Sequence, residues 1–402
     1  MCEMQAVEQN PVDAVDSCEL SVVIPCLNEA ATLAVCIVKA QQAMEQAGIH
    51  GEVIVADNGS TDGSQAIAVE HGARVLSIPR RGYGAALQGG FREARGRYLM
   101  MADGDDSYNF AHIPRFLERL RTGADLVIGN RFQGGIEPGA MPFLHRYLGN
   151  PVLTFLGRMI YQADCGDFHC GMRGLSKSAF ERMHLAAPGM EFASEMVVKA
   201  ALAGMRIEEI PTTLSPDGRN RRPHLRTWRD GWRHLRFLFL YSPNWLFLYP
   251  GLVLMALGLA ATIWLLPHRR SIGAVSFDVD SLAYALSAIL GGFQTILFAL
   301  FAKFFGVIAG LLPRPRWMQR WLPRITFERG LLLGFLLFAG GLTATIYGVR
   351  LWGAFGFGEL NPATMLRVTL PSACAMLLGV EIVFASCFLS VLRLGEPESE
   401  RG

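Results

Sequence analysis

Short apolar runs and polar stretches alternate along the first half of the chain in a pattern typical of an α/β domain. Five apolar runs predict strands, at 20–25, 52–56, 74–78, 97–102 and 125–129. Helical spacing between these runs, at 29–47 and 84–94, predicts helices that alternate with the strands. Such an order favours a mainly parallel sheet covered by helices.

Four much longer apolar runs occupy the second half of the chain, at 245–266, 282–302, 330–349 and 368–392. The first three carry no charged residue, and the fourth carries one, Glu381. Each run is long enough to cross a hydrocarbon core of about 30 Å, so we predict four transmembrane helices. A carboxylate at mid-bilayer is costly, so Glu381 either lines a polar groove or pairs with a Ser or Thr of a neighbouring helix.

The basic residues predict which side of the membrane each segment occupies. Six lie between the second and third long runs and seven lie at 219–236, whereas the other two loops hold four in all. The positive-inside rule then places the α/β domain and both termini on the cytoplasmic side of a plasma (inner) membrane. The stretch 1–19 lacks the positive start and apolar core of a signal peptide, which agrees with that placement.

These patterns predict five segments along the chain: a flexible tail at 1–19, an α/β domain at 20–218, a basic interfacial segment at 219–242, a transmembrane domain at 243–393 and a C-terminal tail at 394–402. Within the interfacial segment, helical spacing and interleaved arginines mark Leu225, Trp228, Trp232 and Leu235. This pattern favours a helix lying on an anionic membrane surface, with packing on the α/β domain as the alternative. The stretches 143–148 and 152–160 predict a second interfacial segment.

Polar residues follow three of the predicted strands, at the edge where parallel sheets bind ligands. They are Asn28 and Glu29, Asp57 and Asn58, and Asp103 and Asp105. The carboxylates of Asp103 and Asp105 can clamp a hard divalent cation, whose other ligands are usually phosphate oxygens. The sequence therefore predicts one ligand site along this edge.

Two of the polar motifs allow more than one interpretation. Asp57 and Asn58 suit hydrogen bonds to a nucleobase or ribose, but Asp-Asn-Gly-Ser also suits a turn that caps the next helix. Gly82 and Gly84, just before a predicted helix, suit backbone N–H contacts with a diphosphate, although a lone Gly-x-Gly is weak support.

The order of motifs resembles glycosyltransferase family 2. It runs Val-Ile-Pro-Cys-Leu-Asn-Glu, Ala-Asp-Asn-Gly-Ser-Thr-Asp-Gly, Gly-Tyr-Gly-Ala-Ala and Asp-Gly-Asp, over roughly residues 20 to 240. Ile-Gly-Asn-Arg-Phe at 128–132 and Asp-Phe-His-Cys-Gly-Met-Arg at 167–173 are similar to motifs of the polyprenyl-phosphate glycosyltransferases, such as dolichyl-phosphate mannose synthases. The resemblance implies a Rossmann-like GT-A fold. It also implies inverting transfer of one sugar from a nucleoside diphosphate sugar, UDP- or GDP-linked, to a polyprenyl phosphate.

The resemblance also implies roles for single residues. Asp103 and Asp105 would bind Mg²⁺ or Mn²⁺, with Asp105 favoured as the direct ligand. The residues expected around the nucleotide and its diphosphate are Pro25, Asn28, Glu29, Asp57, Asn58, Gly82 and Gly84. Those expected at the transfer site are Arg131 and Arg173, facing donor or acceptor phosphates, with Asp167 close by.

Two positions depart from the family pattern. Asn58 stands where many relatives have an acidic residue, and Ser107 stands where they often have Gln. The base and the outer ligands of the metal therefore stay open. A phosphate acceptor is already anionic and needs little or no general base, whereas a hydroxyl acceptor would make Asp167 the base candidate. A salt bridge between Asp167 and Arg173 is the structural alternative.

Two other functions compete with single-sugar transfer. A processive polysaccharide synthase usually carries Gln-x-x-Arg-Trp, which this sequence lacks. A non-catalytic flippase or scaffold for lipid-linked sugars would not need Asp103, Asp105, Arg131 and Arg173 together. The expected partners are a nucleoside diphosphate sugar, a polyprenyl phosphate and a membrane, with no nucleic acid and with homo-oligomerisation left open.

Overall fold

The computed structural model describes residues 18–218, 227–321, 326–358 and 361–394. The chain divides into two compact units, one up to Leu238 and one from Phe239 onward. Residues 1–17 of the predicted tail at 1–19 and residues 395–402 of the predicted tail at 394–402 lie outside the described residues, as does Leu225 of the predicted interfacial helix.

The first unit is built on a seven-stranded sheet with the order β3-β2-β1-β4-β6-β5-β7. Its strands are β1 (Leu20–Cys26), β2 (Gly51–Asp57), β3 (Arg74–Ser77), β4 (Tyr98–Met101), β5 (Leu126–Asn130), β6 (Arg173–Ser176) and β7 (Ile207–Pro211). β6 runs antiparallel to both of its neighbours, β4 and β5, whereas the other pairs are parallel. The predicted α/β fold with a mainly parallel sheet is therefore confirmed.

Helices connect the strands and cover the sheet. They are α1 (Leu33–Gln46), α2 (Ser64–Glu70), α3 (Tyr83–Glu93), α4 (Ile113–Arg121), α5 (Arg131–Gly134), α6 (Asn150–Tyr161), α7 (Lys177–Met183), α8 (Phe192–Leu202) and α9 (Thr227–Leu240). A 3₁₀ turn at Phe110–His112 precedes α4, and a π-helical turn at His145–Gly149 precedes α6.

The core of the first unit lies on both faces of the central strands. Val22, Val23 and Ile24 of β1 are fully buried, because helices cover both faces of the sheet there. Phe91 of α3 and Phe116 of α4 are buried in the same core. This rigid centre fixes the strand ends from which the polar residues project.

The second unit is helical, and all four predicted spans are confirmed as long apolar helices. Its helices are α10 (Tyr249–Leu265), preceded by a π-helical turn at Asn244–Leu248, α11 (Val279–Ile308), the short α12 (Arg316–Trp321), α13 (Phe327–Ala354) and α14 (Pro362–Leu394). A small hairpin of β8 (Arg270–Ile272) and β9 (Val275–Phe277) separates α10 from α11. Among the described residues, four helical segments, of 22, 30, 28 and 33 residues, have the length and apolar composition of membrane spans.

The charged residue of the last span, Glu381, has a partner that the sequence did not indicate. Gln294 of α11 donates a hydrogen bond to Glu381 of α14 at 2.5 Å. Of the two alternatives for Glu381, the Ser or Thr partner was wrong, because the hydrogen bond comes from the side-chain amide of Gln294.

Candidate active site

The end of β4 carries the two carboxylates of the predicted metal pair. The Tyr83 hydroxyl donates to Oδ1 of Asp103 at 2.8 Å. Oδ1 of Asp105 accepts from the Ser107 hydroxyl at 2.6 Å and from the Ser107 backbone N–H at 3.1 Å. Ser107, which replaces the expected Gln, therefore orients Asp105. Both carboxylates stay partly exposed, unlike the side chains at the end of β5.

This donor set fits a hard divalent cation. Two carboxylates at i and i+2 supply oxygen ligands, and neighbouring hydroxyls hold both in place. Within the described residues there is no cluster of three or more His, Cys, Asp or Glu side chains arranged to hold a metal ion. Within the part of the chain that the structure describes, a cation at Asp103 and Asp105 would thus have these two carboxylates as its acidic ligands.

The ends of β1 and β2 are joined by a network of short polar contacts. Asn28 adopts a left-handed backbone conformation (φ 61°) and accepts from the Thr61 N–H at 2.7 Å. Glu29 is buried, and its N–H donates to the Ser64 hydroxyl at 3.0 Å. These contacts bring the polar groups that follow the two strands to one edge, as predicted from a parallel sheet.

Asp57, at the end of β2, is fully buried and closes a turn. Its carboxylate accepts from the N–H groups of Gly59 and Ser60 and, at 2.6 Å, from the Gln65 amide. Burial opposes its ionisation, but the hydrogen bonds from Ser60 and Gln65 lower the pKa of Asp57 below its usual range. It is thus a charged group held at the end of β2, the strand end where the sequence predicts the nucleotide.

Asn58 uses its whole side-chain amide to hold the next loop. Its Nδ2 donates to the carbonyl oxygens of Ile78 and Arg80, at 3.0 and 2.8 Å, and its Oδ1 accepts from the Gly82 N–H at 2.6 Å. All three contacts are internal. This geometry makes Asn58 a support of the loop at 78–82.

Gly82 and Gly84 allow that loop to pack against the segment at 187–189. A Cβ at Gly82 would overlap the carbonyl oxygen of Pro188, and one at Gly84 would overlap that of Ala187. The backbone of Gly82 also has a positive φ of 131°, which favours glycine. Close backbone contact therefore explains both glycines without a ligand.

The end of β5 carries a buried ion pair between Arg131 and Asp167. Nε of Arg131 donates to Oδ2 of Asp167 at 2.7 Å, and Nη2 donates to Oδ1 at 2.8 Å. Asp167 is fully buried, and Arg131 is 7% exposed. The structural alternative, a salt bridge between Asp167 and Arg173, was wrong, because Arg131 presents its planar fork to both carboxylate oxygens of Asp167.

The guanidinium of Arg131 keeps one nitrogen for other contacts. Burial alone would lower the pKa of Arg131, but Tyr108 and Asp167 raise it well above its usual value, so the group stays charged. Among the described residues, no side chain or carbonyl accepts from its Nη1. Asp167 therefore holds the guanidinium of Arg131 in one orientation, in which the charged Nη1 can donate to an anion.

Arg173, by contrast, is fully buried, and each of its three guanidinium nitrogens donates a hydrogen bond to a backbone carbonyl oxygen. Nε donates to Cys170 at 2.7 Å, Nη1 to Ala193 at 2.5 Å and Nη2 to Phe168 at 2.6 Å. These contacts tie the loop at 167–172 to α8. Arg173 therefore shapes the site in this structure, while Arg131 is the arginine with an uncommitted nitrogen.

An apolar groove lies beside the ion pair. It has a volume of about 520 Å³, and Phe132, Phe155 and Met159 line it together with Arg158 and Gly166. Phe132 follows Arg131 in the chain, and Gly166 precedes Asp167. An apolar chain with an anionic end would suit such a groove.

The predicted interfacial segments present large apolar side chains on the first unit. Phe143, Tyr147 and Phe155 are 77%, 61% and 63% exposed. Trp228 and Trp232 of α9 are 81% and 63% exposed, whereas the Leu238 carbonyl on the same helix accepts from the Tyr161 hydroxyl. The inner side of α9 thus packs on the domain while its tryptophans face outward.

Three residues of the site escaped the sequence interpretation. They are Tyr83, whose hydroxyl donates to Asp103, Tyr108, whose hydroxyl accepts from the Gly171 N–H, and Glu209 on β7, which accepts from the Gly166 N–H. Tyr83 lies inside the Gly-Tyr-Gly motif that had marked the loop, so that motif could have indicated it. Glu209 belongs to a strand that no local pattern predicted, and its role depends on the sheet order.

Comparison with known proteins agrees with this architecture. The family model for glycosyl transferase family 2 matches residues 21–183, and that for the family 2 C-terminal transmembrane region matches residues 300–393. The low-salt glycan biosynthesis hexosyltransferase Agl6 of Haloferax volcanii is 38% identical over 93% of this chain and 89% of its own. A dolichyl-phosphate hexose transferase of the same organism is 30% identical over 40% of this chain and 68% of its own.

Among solved structures, glucosyl-3-phosphoglycerate synthase from Mycobacterium tuberculosis, in complex with Mn²⁺, UDP and glucosyl-3-phosphoglycerate, aligns with a TM-score of 0.42 and 22% identity. That alignment covers 55% of this chain and 77% of the other. The family assignment depends on the sequence matches, which extend over the α/β domain and the apolar helices alike. The chain belongs to glycosyltransferase family 2, as a membrane glycosyltransferase with a GT-A domain and a C-terminal transmembrane region.

Proposed function

We propose that this enzyme transfers one hexose from a UDP- or GDP-hexose to a polyprenyl phosphate, with inversion at the anomeric carbon. The observation that carries the proposal is the Arg131–Asp167 pair. Both carboxylate oxygens of Asp167 accept from Arg131, and the side chain is fully buried. Asp167 is therefore poorly placed to deprotonate a hydroxyl acceptor, whereas a phosphate acceptor is already an anionic nucleophile.

Arg131 has the complementary role in this proposal. Its Nη1 edge faces a phosphate of the acceptor or of the departing nucleoside diphosphate, and Asp167 fixes its orientation. Charge-assisted hydrogen bonds of this kind stabilise the negative charge that grows on the diphosphate as the glycosidic bond breaks. Arg173 contributes by holding the loop that contains Asp167.

The donor nucleotide would lie along the ends of β1, β2 and β4. Pro25, Asn28, Glu29 and Asp57 would border the base and ribose, and Asn58 would support the loop that carries Gly82 and Gly84. Asp103 and Asp105 would hold Mg²⁺ or Mn²⁺. That ion, when bound, would neutralise charge on the diphosphate of the donor.

The lipid part of the acceptor is supported by two further observations. The apolar groove beside Arg131 and Asp167 suits the first isoprenoid units of a polyprenyl chain. A relative that is 30% identical over 40% of this chain is named as a dolichyl-phosphate hexose transferase. The distribution of basic residues among the loops supports a reaction on the cytoplasmic face of the plasma (inner) membrane.

The test uses membranes that contain the full chain, with Mg²⁺ or Mn²⁺ and a panel of UDP- and GDP-hexoses. Polyprenyl phosphate and the matched polyprenol are offered in parallel, and lipid extracts are followed by mass. We expect one added hexose on the phosphate lipid alone, and loss of product with EDTA. Equal transfer to the polyprenol, a ladder of added hexoses, or no lipid product with any donor would each overturn the proposal.

A further inference from the structure

Glu209 of β7 occupies a central position beneath the Arg131–Asp167 pair. Its Oε1 accepts from the backbone N–H groups of Gly166 and Asp167, at 2.7 and 3.1 Å. Its Oε2 accepts from the side-chain amide of Asn130 at 3.1 Å. One carboxylate thus contacts the residue that precedes Arg131 and the backbone of Asp167.

The sheet order explains how one side chain reaches both places. β7 runs parallel to β5, and Glu209 pairs in register with Ile128, two residues before Asn130. The amide of Asn130 also accepts from the Gln133 N–H at 3.0 Å, which caps α5, the helix that begins at Arg131. A shift of Glu209 would therefore displace both Arg131 and Asp167.

Gly166 leaves the room that this arrangement needs. A Cβ at Gly166 would lie 2.6 Å from Nδ2 of Asn130 and 3.3 Å from Oε2 of Glu209. Such a contact would push the loop away from β7 and lengthen both hydrogen bonds to its backbone.

We infer that Glu209 is a positioning residue that sets the orientation of Arg131 toward a substrate phosphate by holding Asp167 and Asn130 together. The phosphate in this statement depends on the proposed function, whereas the hold on the loop at 165–168 does not. Glu209 does not touch the reacting atoms. Its removal should loosen Arg131 while the carboxylates at the end of β4 keep their contacts.

A swap of the two polar partners gives the most selective variant. In Glu209→Gln, the N–H groups of two amides face each other in place of the hydrogen bond from Asn130 to Glu209. In Asn130→Asp, two carboxylates face each other and repel. The double variant restores one carboxylate and one amide with the same total charge. Glu208→Gln is the matched control, because Glu208 pairs at the surface with Arg119 and Arg206 on the other side of the strand.

The experiment measures transfer by the full chain in nanodiscs, with the acceptor and the donor varied separately. We expect Glu209→Gln to lower kcat/KM for polyprenyl phosphate by about tenfold to a hundredfold, with the donor KM within about twofold of wild type. The double variant should recover most of the loss, and Glu208→Gln should match wild type. A loss no larger than that of Glu208→Gln, or no recovery in the double variant, would overturn the inference.

Hydrogen exchange of the same proteins separates this inference from the proposed function. Peptides that cover 163–170 should exchange faster in Glu209→Ala than in wild type, while peptides from β1 and β2 stay protected. Unchanged exchange at 163–170 would refute the role of Glu209 whatever the acceptor is. If wild type gives no hexosyl lipid but this exchange difference is found, the proposed function fails and the hold on the loop stands.

Discussion

The ends of β4 and β5 both carry charged side chains toward the same edge of the sheet, but the protein treats them differently. Asp103 and Asp105 remain partly exposed, and hydroxyl groups orient them. Arg131, Asp167 and Arg173 are buried, and backbone atoms or one another hold them. The exposed pair is arranged to receive a ligand from outside, whereas the buried group is arranged to keep one guanidinium edge in place.

The largest expected effect concerns the exposed pair. Asp105→Ala should lower transfer by at least about a hundredfold, because it removes a charged ligand from the donor side of the site. The chain should still insert into membranes, since the apolar helices are unchanged. The measurement is the initial rate of hexosyl-lipid formation at saturating Mn²⁺.

Asp106→Asn is the matched control for that variant. Asp106 pairs with half-exposed Lys39 at 2.6 Å, and such a surface pair contributes little. Asn also tolerates the left-handed backbone at this position. Normal turnover of Asp105→Ala would remove the metal role from the end of β4.

Arg131→Ala should have the next largest effect, and it should appear in both activity and stability. It deletes the anion-binding edge and leaves the buried carboxylate of Asp167 unpaired, at a cost of about 3–5 kcal/mol of unfolding free energy. Arg131→Lys keeps the charge but loses the planar fork, so its activity should also fall. Arg229→Ala, at an exposed arginine of α9, is the control variant for Arg131→Ala. Equal activity of the Arg131 and Arg229 variants would contradict the phosphate role.

Arg173→Lys should act on stability and, through the loop at 167–172, on kcat rather than on KM. Lysine cannot reach three carbonyl oxygens at once, so the unfolding free energy should fall by about 3 kcal/mol. The KM values for donor and acceptor should stay within about twofold of wild type. Thermal unfolding of the purified enzyme and steady-state kinetics test this together. A raised KM at unchanged thermal stability would show instead that Arg173 binds substrate directly.

The smallest expected effect is a pH dependence at His169, next to the buried pair. Burial above all, and then His234, Arg131, Arg173 and His145, lower the pKa of His169 well below its ordinary value. At pH values between that lowered pKa and about 6.5, His169 is protonated in the unfolded chain and neutral in the folded protein. The free energy of unfolding is therefore independent of His169 titration above about pH 6.5 and decreases as the pH falls below it.

His169→Gln should therefore lose less stability than wild type between pH 7 and pH 5, by up to about 1.4 kcal/mol per pH unit. Thermal unfolding midpoints at the two pH values provide the measurement. His50→Gln, at an exposed histidine of the same domain, is the comparison variant. Identical pH dependence in His169→Gln and wild type would show that His169 is not held neutral by its surroundings.

The sequence predicted the parallel half of the sheet well because that half follows local patterns. The strand predicted at 20–25 is observed at Leu20–Cys26, and the one at 74–78 at Arg74–Ser77. Polar residues at the ends of β1, β2 and β4 could then be assigned to one edge. Hydropathy likewise located the four long helices, since no other signal in a chain is as extended.

The other half of the site could not be predicted in this way. β6 inserts between β4 and β5 and runs antiparallel, and β7 joins the far side of β5. Pairings over such long separations leave no periodic trace in the sequence. The partner of Asp167 and the contacts of Glu209 depend on that order, so both required the structure.

The lengths of the apolar helices have a consequence for bilayer thickness. The apolar run 368–392 within α14 has 25 residues, or about 38 Å of helix, whereas a hydrocarbon core is about 30 Å thick. A tilt of about 37°, near the upper end of the range for spanning helices, would bring this run to the thickness of such a core. A thinner bilayer would exceed what tilt accommodates, so enzyme reconstituted in short-chain lipids should deform the bilayer around this helix.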